Sequence, residues 1–435
     1  MKPLLSILII FGYITFSLGQ GEVQNHETPQ SLTLKQACDF ALSHHPEIES
    51  ANLKANASEQ KIRENRAAFF PQISANVNAV GPDDNSRITA SGGLNNPSVF
   101  SRQSDGLSIS QLITDFGRTA NLTSGSRFQA YAEEQRSINV RARVLLRVQS
   151  AYFEVLGSQA ILNVAQHAVT NNELLVNQVR AMVEGKLKSE LDLGFAETNL
   201  GEARLVQLKA GNRLNEAFAN LSEAMGMREK KEFQLIEEND PSLEGDENIL
   251  IQKALEQRTD LIAAKAEKEA LLKFANAEKA AQYPEIKALG EVGVTPIADK
   301  SIKETYAIAG LNLHLPIING GKLSAKAEAA RLQAEAAQKN ISDLENKIYR
   351  DVRVAWGRFQ SAFQEVEISR RLQDHASQTL ELAQSRYKLG MSSIIELSSA
   401  DLEKTKVDMN YASARHELQM KKAELDYQTG DLNIQ

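Results

Sequence analysis

An internal duplication is the feature that most constrains how this chain can fold. Two similar junctions, AAFFPQI around Pro71 and AAQYPEI around Pro284, each follow a polar, Ala-rich run. Further segments match in the same order and at a near-constant offset: QLITDFGR (111–118) with LPIINGGK (315–322), and VQSAYFEV (148–155) with VRVAWGRF (352–359). Such repeated matches indicate a unit of roughly 200 residues that occurs twice. We therefore expect two copies of one fold, with Gly226 in the first copy equivalent to Gly430 in the second.

Each copy contains two short segments with the two-residue period of a β-strand. After Pro71, the apolar residues Ile73, Ala75 and Val77 alternate with polar residues. The predicted strands are 71–81, 105–115, 284–295 and 304–316. A length of about ten residues is what a tilted membrane-spanning strand needs. The same alternation also fits two small soluble hairpins with one buried face, and the pattern alone leaves both interpretations open.

Long helical segments fill most of the remaining chain. Proline is absent from 118–184 and from 322–389, so each segment predicts a helix roughly 100 Å long. A coiled-coil-like seam runs through the second of them at spacings of three and four: Ile341, Leu344, Ile348, Val352, Ala355, Phe359, Ala362 and Val366. Turns at Gly185 and Gly390 lead into shorter returning helices. A single opening helix is expected over 33–70, so that one long helix matches two short helices stacked end to end.

The N-terminus has the pattern of a secretory signal. Lys2 precedes an apolar run, and small residues follow at the expected cleavage region, so 1–19 is predicted to be a signal peptide. Residues 20–30 are then an N-terminal linker. The remaining chain divides into a first repeat, an equatorial linker, a second repeat and a tail: 31–226, 227–246, 247–430 and 431–435.

Composition and motifs argue against several functional classes. The formal net charge of −7 disfavours nucleic acid as a partner. Cys38 is the only cysteine, so no intramolecular disulfide can form, and its amphipathic surroundings predict a small core residue. None of the seven histidines forms an HExxH motif, and no nucleophile elbow or phosphate loop is present. We expect no enzyme activity, no cofactor and no metal site. His44 and His45 are expected at the surface, and His314 in the middle of a strand facing a lumen.

The number of predicted strands limits how this chain could span a membrane. Four strands cannot close a barrel, and open sheet edges do not occur within lipid. If the strands span a membrane, several copies of the chain must share one barrel. Aromatic residues at the helix–strand junctions support a membrane interface there: Phe69, Phe70, Phe116 and Tyr283.

Over residues 31–430 the sequence resembles the TolC-like outer-membrane efflux proteins. The resemblance rests on the duplication, the Pro71 and Pro284 junctions, and the turns EGKLKSELDL and YKLGMSSIIEL. It implies a mainly α protein with a transmembrane β-barrel, in which a homotrimer forms a twelve-stranded barrel in the outer membrane on a twelve-helix periplasmic tunnel. It also implies a passive exit duct that works with a periplasmic adaptor (a membrane fusion protein) and an inner-membrane transporter, in efflux or type I secretion.

The resemblance further assigns roles to residues at the two helix turns. The tripeptides expected to contact the adaptor are Glu184-Gly185-Lys186 and Leu389-Gly390-Met391; the first differs from the usual Val-Gly-Leu pattern by its two charges. The residues expected at the pore constriction are Glu190, Asp192, Glu396 and Tyr387. Threefold symmetry would make each carboxylate into a ring that favours cations. Ser399 stands where a further acidic residue is expected.

A periplasmic adaptor or a coiled-coil scaffold without a barrel is the alternative. Either protein would account for the signal peptide and the long helices. Neither accounts for a whole-chain duplication that places alternating strands at both helix junctions.

Overall fold

The computed structural model describes residues 31–80, 102–243, 245–294 and 303–432. The predicted signal peptide 1–19, the linker 20–30 and the last three residues of the tail lie outside the described residues. The elements within them are, in chain order, β1 (Ser31–Leu32), α1 (Leu34–His44), α2 (Pro46–Ala67), β2 (Gln72–Val80), β3 (Arg102–Thr114), α3 (Arg118–Glu184), α4 (Glu190–Ala224), β4 (Gln234–Leu235), α5 (Glu247–Gln257), α6 (Thr259–Ala280), β5 (Glu285–Val294), β6 (Thr305–His314), α7 (Lys322–Lys388) and α8 (Ile394–Thr429).

The two long helices confirm the duplication. Helices α3 and α7 both have 67 residues. Each begins after a glycine in the left-handed region, Gly117 with φ 93° and Gly321 with φ 79°. Glycine adopts this conformation without the steric cost that a Cβ imposes, so the chain can turn sharply from strand to helix at these positions.

The predicted opening helix 33–70 is wrong, because the structure contains two helices with a break at His45. His45 has extended backbone angles (φ −74°, ψ 122°), as expected for a residue that precedes a proline. Pro46 then begins α2, and His45 Nδ1 accepts a hydrogen bond from the Glu47 N–H at 3.1 Å. The same break occurs between α5 and α6 at Arg258, where no proline is present.

Each break receives the end of a returning helix. Gly226, just after α4, lies so close to the first break that a Cβ there would be 3.0 Å from the His45 Cα. Gly430, which caps α8, lies against Gln257 and Arg258 at the second break. Helices α2 and α4 therefore follow one another along α3, and α6 and α8 follow one another along α7. The predicted match of one long helix to two shorter ones is confirmed.

Apolar contacts between the helices form several separate cores. The largest lies where β1, α1, α3, the end of α4 and the linker meet, and it contains Tyr152 and Cys38. The Tyr152 hydroxyl lies 2.9 Å from the Leu32 carbonyl oxygen and 2.7 Å from that of Ile236, and so fixes the linker to α3. Burial raises the pKa of the Cys38 thiol to about 12. His45 is also buried, which corrects the surface position expected for it; His44 is exposed.

The seam predicted along α7 is confirmed. Six of its eight residues are buried, and Leu344 and Val366 are partly buried against the same cores. These contacts join α7 to α5, α6 and α8. The seam accounts for the stability of so long a helix, because tertiary packing of an apolar stripe contributes more than intrinsic propensity.

The four longer strands form one antiparallel sheet in the order β2-β3-β5-β6. The two copies of the unit therefore meet in the sheet through β3 and β5. Within the part of the chain that the structure describes, strands β2 and β6 are its edges, and each has a partner on one side only. The short strands β1 and β4 pair separately and in parallel.

Candidate functional site

The sheet presents two faces of opposite character. The register places Ile73 opposite Ile109, Ile109 opposite Gly290, and Gly290 opposite Ala309, so their side chains share one face. Large apolar residues follow this face along all four strands and are exposed: Ile73, Val77, Leu107, Ile109, Val292, Val294, Leu311 and Leu313. Asp105 is the charged exception on it.

The opposite face is polar. Ser74 and Ser108 lie opposite each other with their hydroxyl oxygens 2.7 Å apart, and the Asn76 amide donates to Ser108 at 3.3 Å. The Tyr306 hydroxyl donates to Glu291 at 2.8 Å on the same face. Leu112, Leu289 and Ile308 are the apolar exceptions. His314 belongs to this face but is the last residue of β6, which corrects its expected position in the middle of a strand.

Aromatic residues gather where helices meet strands. Phe69 and Phe70 follow α2, Phe116 follows β3, and Tyr283 precedes β5; all four are exposed. The rings of Phe116 and Tyr283 come together with their centroids 6.2 Å apart. The two copies of the unit thus place their junction aromatics at one level, at the boundary between the apolar sheet face and the helices.

The opposite end of the molecule consists of two tight turns. The first joins α3 to α4, with Lys186 in the left-handed region at φ 59°. The second joins α7 to α8 through Gly390 at φ 72°. Glu184, Gly185 and Lys186 are exposed at the first turn, and Leu389, Gly390 and Met391 at the second. The structure therefore places both expected adaptor-contact tripeptides at the outermost points of the helix hairpins.

The carboxylates expected at the constriction have local partners in the single chain. Asp192 accepts from both the backbone N–H and the hydroxyl of Ser189, at 3.1 and 2.9 Å, and so completes a capping box at the start of α4. Glu396 lies 3.6 Å from Arg386 Nε across the second turn. Glu190 is exposed in the first turn of α4. Among the described residues, these three carboxylates do not form a cluster that could hold a metal ion.

Tyr387 lies within a small apolar core behind the turns. Its neighbours there include Val179, Ile394 and Leu397, and only 4% of Tyr387 is exposed. Its hydroxyl has no hydrogen-bond partner in the described part of the chain. Lys188 Nζ lies 4.3 Å from the ring centroid, a cation–π contact between the two turns. Burial, and then the negative charge of Asp192, raise the pKa of Tyr387.

A polar layer above this core was not predicted from the sequence. The buried Asn172 of α3 donates to Asp401 of α8 at 2.9 Å, and Asn199 of α4 donates to Ser398 of α8 at 2.5 Å. Two cavities of about 200 and 110 Å³ meet at Asn172 and Asp401. The spacing of Asp401 from Ile394 and Leu397 would place it on the packed seam of α8, and this was the available signal.

Burial raises the pKa of Asp401, while the hydrogen bond from Asn172 and the charge of Lys404 act in the opposite direction. The layer joins α3, α4 and α8 about two to four helical turns from the exposed tips at Gly185 and Gly390. This polar layer therefore lies between the tips and the long apolar seams.

A family model described as outer membrane efflux protein matches residues 38–227 and 250–431, which are the two copies of the duplicated unit. The chain belongs to the outer membrane efflux protein family. The outer membrane protein TolC of Vibrio cholerae is 21% identical over 416 residues, covering 92% of this chain and 91% of TolC. The outer membrane protein OprJ of Pseudomonas aeruginosa is 24% identical over 374 residues, covering 82% of this chain and 75% of OprJ.

Solved structures of membrane proteins share the fold of this outer membrane efflux protein. A membrane protein from Pseudomonas aeruginosa superposes with a TM-score of 0.79 at 20% identity, covering 91% of this chain and 90% of that one. The outer membrane protein VceC from Vibrio cholerae gives 0.78 at 15% identity, covering 91% and 96%.

The family is one of transport ducts, so this efflux protein is an outer-membrane exit duct with a helical part in the periplasm. Among the helices described, none combines the length and apolar character that a membrane span requires. Within the described ranges, no three His, Cys, Asp or Glu side chains come together in a way that could hold a metal ion.

Proposed function

We propose that three copies of this efflux protein share one twelve-stranded barrel in the outer membrane, above a tunnel of twelve helices. The observation that carries the proposal is the sheet, with an exposed apolar face, a polar face and two open edges. In water the apolar face would be costly to expose, and in lipid the open edges would leave backbone groups without hydrogen bonds. Pairing β2 of one copy with β6 of the next resolves both problems and gives three times four strands.

In this arrangement the polar face lines a wet lumen and the apolar face contacts lipid. The aromatic residues at the junctions lie at the periplasmic interface. The helices continue the lumen below the membrane, and the turns at Gly185 and Gly390 lie at the far end. The duct conducts passively and carries out no chemistry, because an inner-membrane transporter supplies the energy and delivers the cargo through a periplasmic adaptor.

The exposed tips are the proposed contact with the adaptor. Leu389 and Met391 offer an apolar surface at the second turn, whereas Glu184 and Lys186 offer charge at the first. We propose that the second turn provides most of the apolar contact and that the first selects the partner by charge. The names of several relatives refer to efflux pumps, such as the antibiotic efflux pump outer membrane protein ArpC of Pseudomonas putida.

The constriction is proposed to lie just inside the tips. Threefold symmetry would bring three copies each of Glu190, Asp192 and Glu396 around the axis, with Tyr387 in the supporting core. A ring of carboxylates in a narrow aqueous throat favours cations and can bind divalent ions. Of the three, Glu396 is the most informative to change, because Asp192 also caps α4.

Planar-bilayer recordings test this proposal. Glu396→Gln should lower the cation-to-anion permeability ratio and weaken block by divalent cations, whereas Glu229→Gln, an exposed carboxylate in the linker, should change neither. Asp192→Asn keeps an acceptor oxygen for the cap and removes only the charge, so it separates the two roles of that residue. Equal permeability ratios in wild type, Glu396→Gln and Asp192→Asn would contradict the carboxylate ring.

A further inference from the structure

An open groove of about 740 Å³ runs between α2 and α3 below the sheet. Four arginines line it: Arg63 and Arg66 from α2, and Arg127 and Arg141 from α3. Two glutamates, Glu59 and Glu134, also line it, so four positive charges face two negative ones. The groove therefore carries net positive charge in a protein whose formal net charge is −7. Its volume lies within the range of about 300–1,000 Å³ that is usual for small-molecule sites.

These arginines differ from most others in the described ranges, which form ion pairs with carboxylates. Arg63 and Arg127 have no hydrogen-bond or ion-pair partner among the residues described. Arg66 lies with its guanidinium carbon 6.0 Å from the centroid of the Phe70 ring, and the described residues offer it no hydrogen-bond or ion-pair partner. Arg141 donates to Asn52 at 2.8 Å and closes the lower end of the groove. Three guanidinium groups are thus available to an anion.

The groove lies close to the level where the helices meet the sheet. Arg66 and Arg63 precede Pro71 by one to two helical turns, and Arg127 follows the start of α3 by between two and three turns. At 1.5 Å per residue, these positions lie about 7 to 14 Å below Pro71 and the start of α3. The polar headgroup region of a bilayer is about 5–8 Å thick on each side of the hydrocarbon, and an arginine side chain can extend towards it.

We propose that this groove binds the phosphate of an anionic glycerophospholipid in the periplasmic leaflet of the outer membrane. Guanidinium groups suit phosphate because they donate two parallel hydrogen bonds to its oxygens. Arg63 and Arg127 approach the phosphate from opposite walls of the groove. Arg66 holds the upper end against Phe70, and the half-exposed Tyr131 provides a surface for the glycerol and the first acyl carbons. Three copies of the chain give three such sites per barrel.

The inference rests on the proposed function, because a lipid phosphate reaches the groove only if the sheet lies in a membrane. The test uses the full-length protein extracted from the outer membrane in mild detergent. Phosphatidylglycerol is added, and native mass spectrometry counts the lipids retained per assembly. The double variant Arg63→Gln/Arg127→Gln is compared with Arg213→Gln/Arg370→Gln, which removes two exposed arginines that are also without ion pairs but lie on α4 and α7.

The expected result is retention of up to three lipids in wild type and in the control variant, with apparent affinity about tenfold weaker in the groove variant. Retention should also fall as salt is raised. Soluble glycerol 3-phosphate should compete only weakly. Equal retention in the two double variants would overturn the inference. Competition by glycerol 3-phosphate at the same concentration as the lipid would overturn the lipid as the source of the phosphate.

Planar-bilayer conductance separates this inference from the proposed function. The groove variant should conduct as wild type does, because the arginines are assigned to lipid contact and not to the constriction. A conducting trimer with unchanged lipid retention in the groove variant would overturn the lipid site alone. Recovery of the wild-type protein as a water-soluble monomer would overturn both the barrel and the lipid site.

Discussion

At the scale of single residues, close packing between helices depends on glycine at particular positions. A Cβ built at Gly125 of α3 would lie 2.5 Å from Cε1 of Phe274 on α6. Gly125→Ala should therefore force the ring or the helices apart and lower the free energy of unfolding by about 1–3 kcal/mol. The loss of helical circular dichroism on heating the extracted protein measures this effect.

Gly201→Ala on α4 is the matched control for this change. Apart from the surrounding backbone of α4 itself, no atom of the described chain lies within 4 Å of a Cβ at that position. Because alanine has the higher helix propensity, this variant should be as stable as wild type or more stable, by up to about 1 kcal/mol. If Gly125→Ala and Gly201→Ala had the same melting temperature, α3 and α6 would not be in contact as described.

Asp401 should make the stability of the folded protein depend on pH. Because burial raises its pKa, the folded protein holds the proton more tightly than the unfolded chain does. The stability that this residue contributes is therefore present at acidic pH and is lost as the pH rises through the raised pKa. Asp401→Asn keeps an oxygen that can accept from Asn172 and removes the buried charge.

Asp401→Asn should be more stable than wild type at pH 8. The difference between their free energies of unfolding should shrink below about pH 4, the ordinary pKa range of an aspartate. Thermal unfolding at several pH values measures it, with the exposed Asp374→Asn of α7 as the control. A constant difference between Asp401→Asn and wild type across this range would contradict the buried carboxylate.

At the scale of elements, each copy of the unit contains one joint of the same kind. In this joint, the end of a returning helix packs against the break between two short helices. Gly226 has φ 81° and Gly430 has φ 85°, and each lies against the backbone of the opposing break. Gly226→Ala should lower the free energy of unfolding by about 1–2 kcal/mol, because the left-handed conformation and the close approach both oppose a Cβ. Gly211→Ala, with no atom within 4 Å, is the control. Equal melting temperatures for the two variants would contradict this joint.

Long periodic elements could be predicted from the sequence because their signals are local. The apolar residues of the α7 seam recur over many turns. In the strands, apolar and polar residues alternate from Pro71 or Pro284 to the next loop. In both cases the pattern agrees with the structure. The break at His45 was missed although Pro46 supplied a signal, because a proline is also compatible with the first turn of a helix. The break at Arg258 has no such signal. Arg258 is held there by Asp260 and by Gln428 of α8, contacts that only the folded chain brings together.

The candidate site could be predicted only in part for a similar reason. The turns at Gly185 and Gly390 follow from the glycines and from the serines that begin α4 and α8. The role of a carboxylate near such a turn is ambiguous, because Asp192 serves a capping box and a pore ring equally well by sequence. Asp401 was missed because a single polar residue on an apolar seam resembles an exposed one until the facing Asn172 is known.

At the scale of the whole molecule, the features that a single chain leaves without partners are the basis of the proposed trimer. Among the described residues, the apolar sheet face is exposed, β2 and β6 each pair on one side, and the carboxylates near the tips form no cluster that could hold a metal ion. In the trimer that we propose, threefold repetition around the polar face of the sheet would resolve each of these features. The proposed trimer would thus give the barrel, the tunnel and the constriction a common origin.

The most direct test of the shared barrel is the mass of the extracted protein. The protein is extracted in mild detergent from a carbonate-washed outer-membrane fraction, and the mass of the bound detergent is subtracted. If three copies share one barrel, the protein should remain with the membrane after the wash, and its mass should be three times that of the mature chain. Recovery from the soluble periplasmic fraction as a monomer or dimer would contradict the shared barrel.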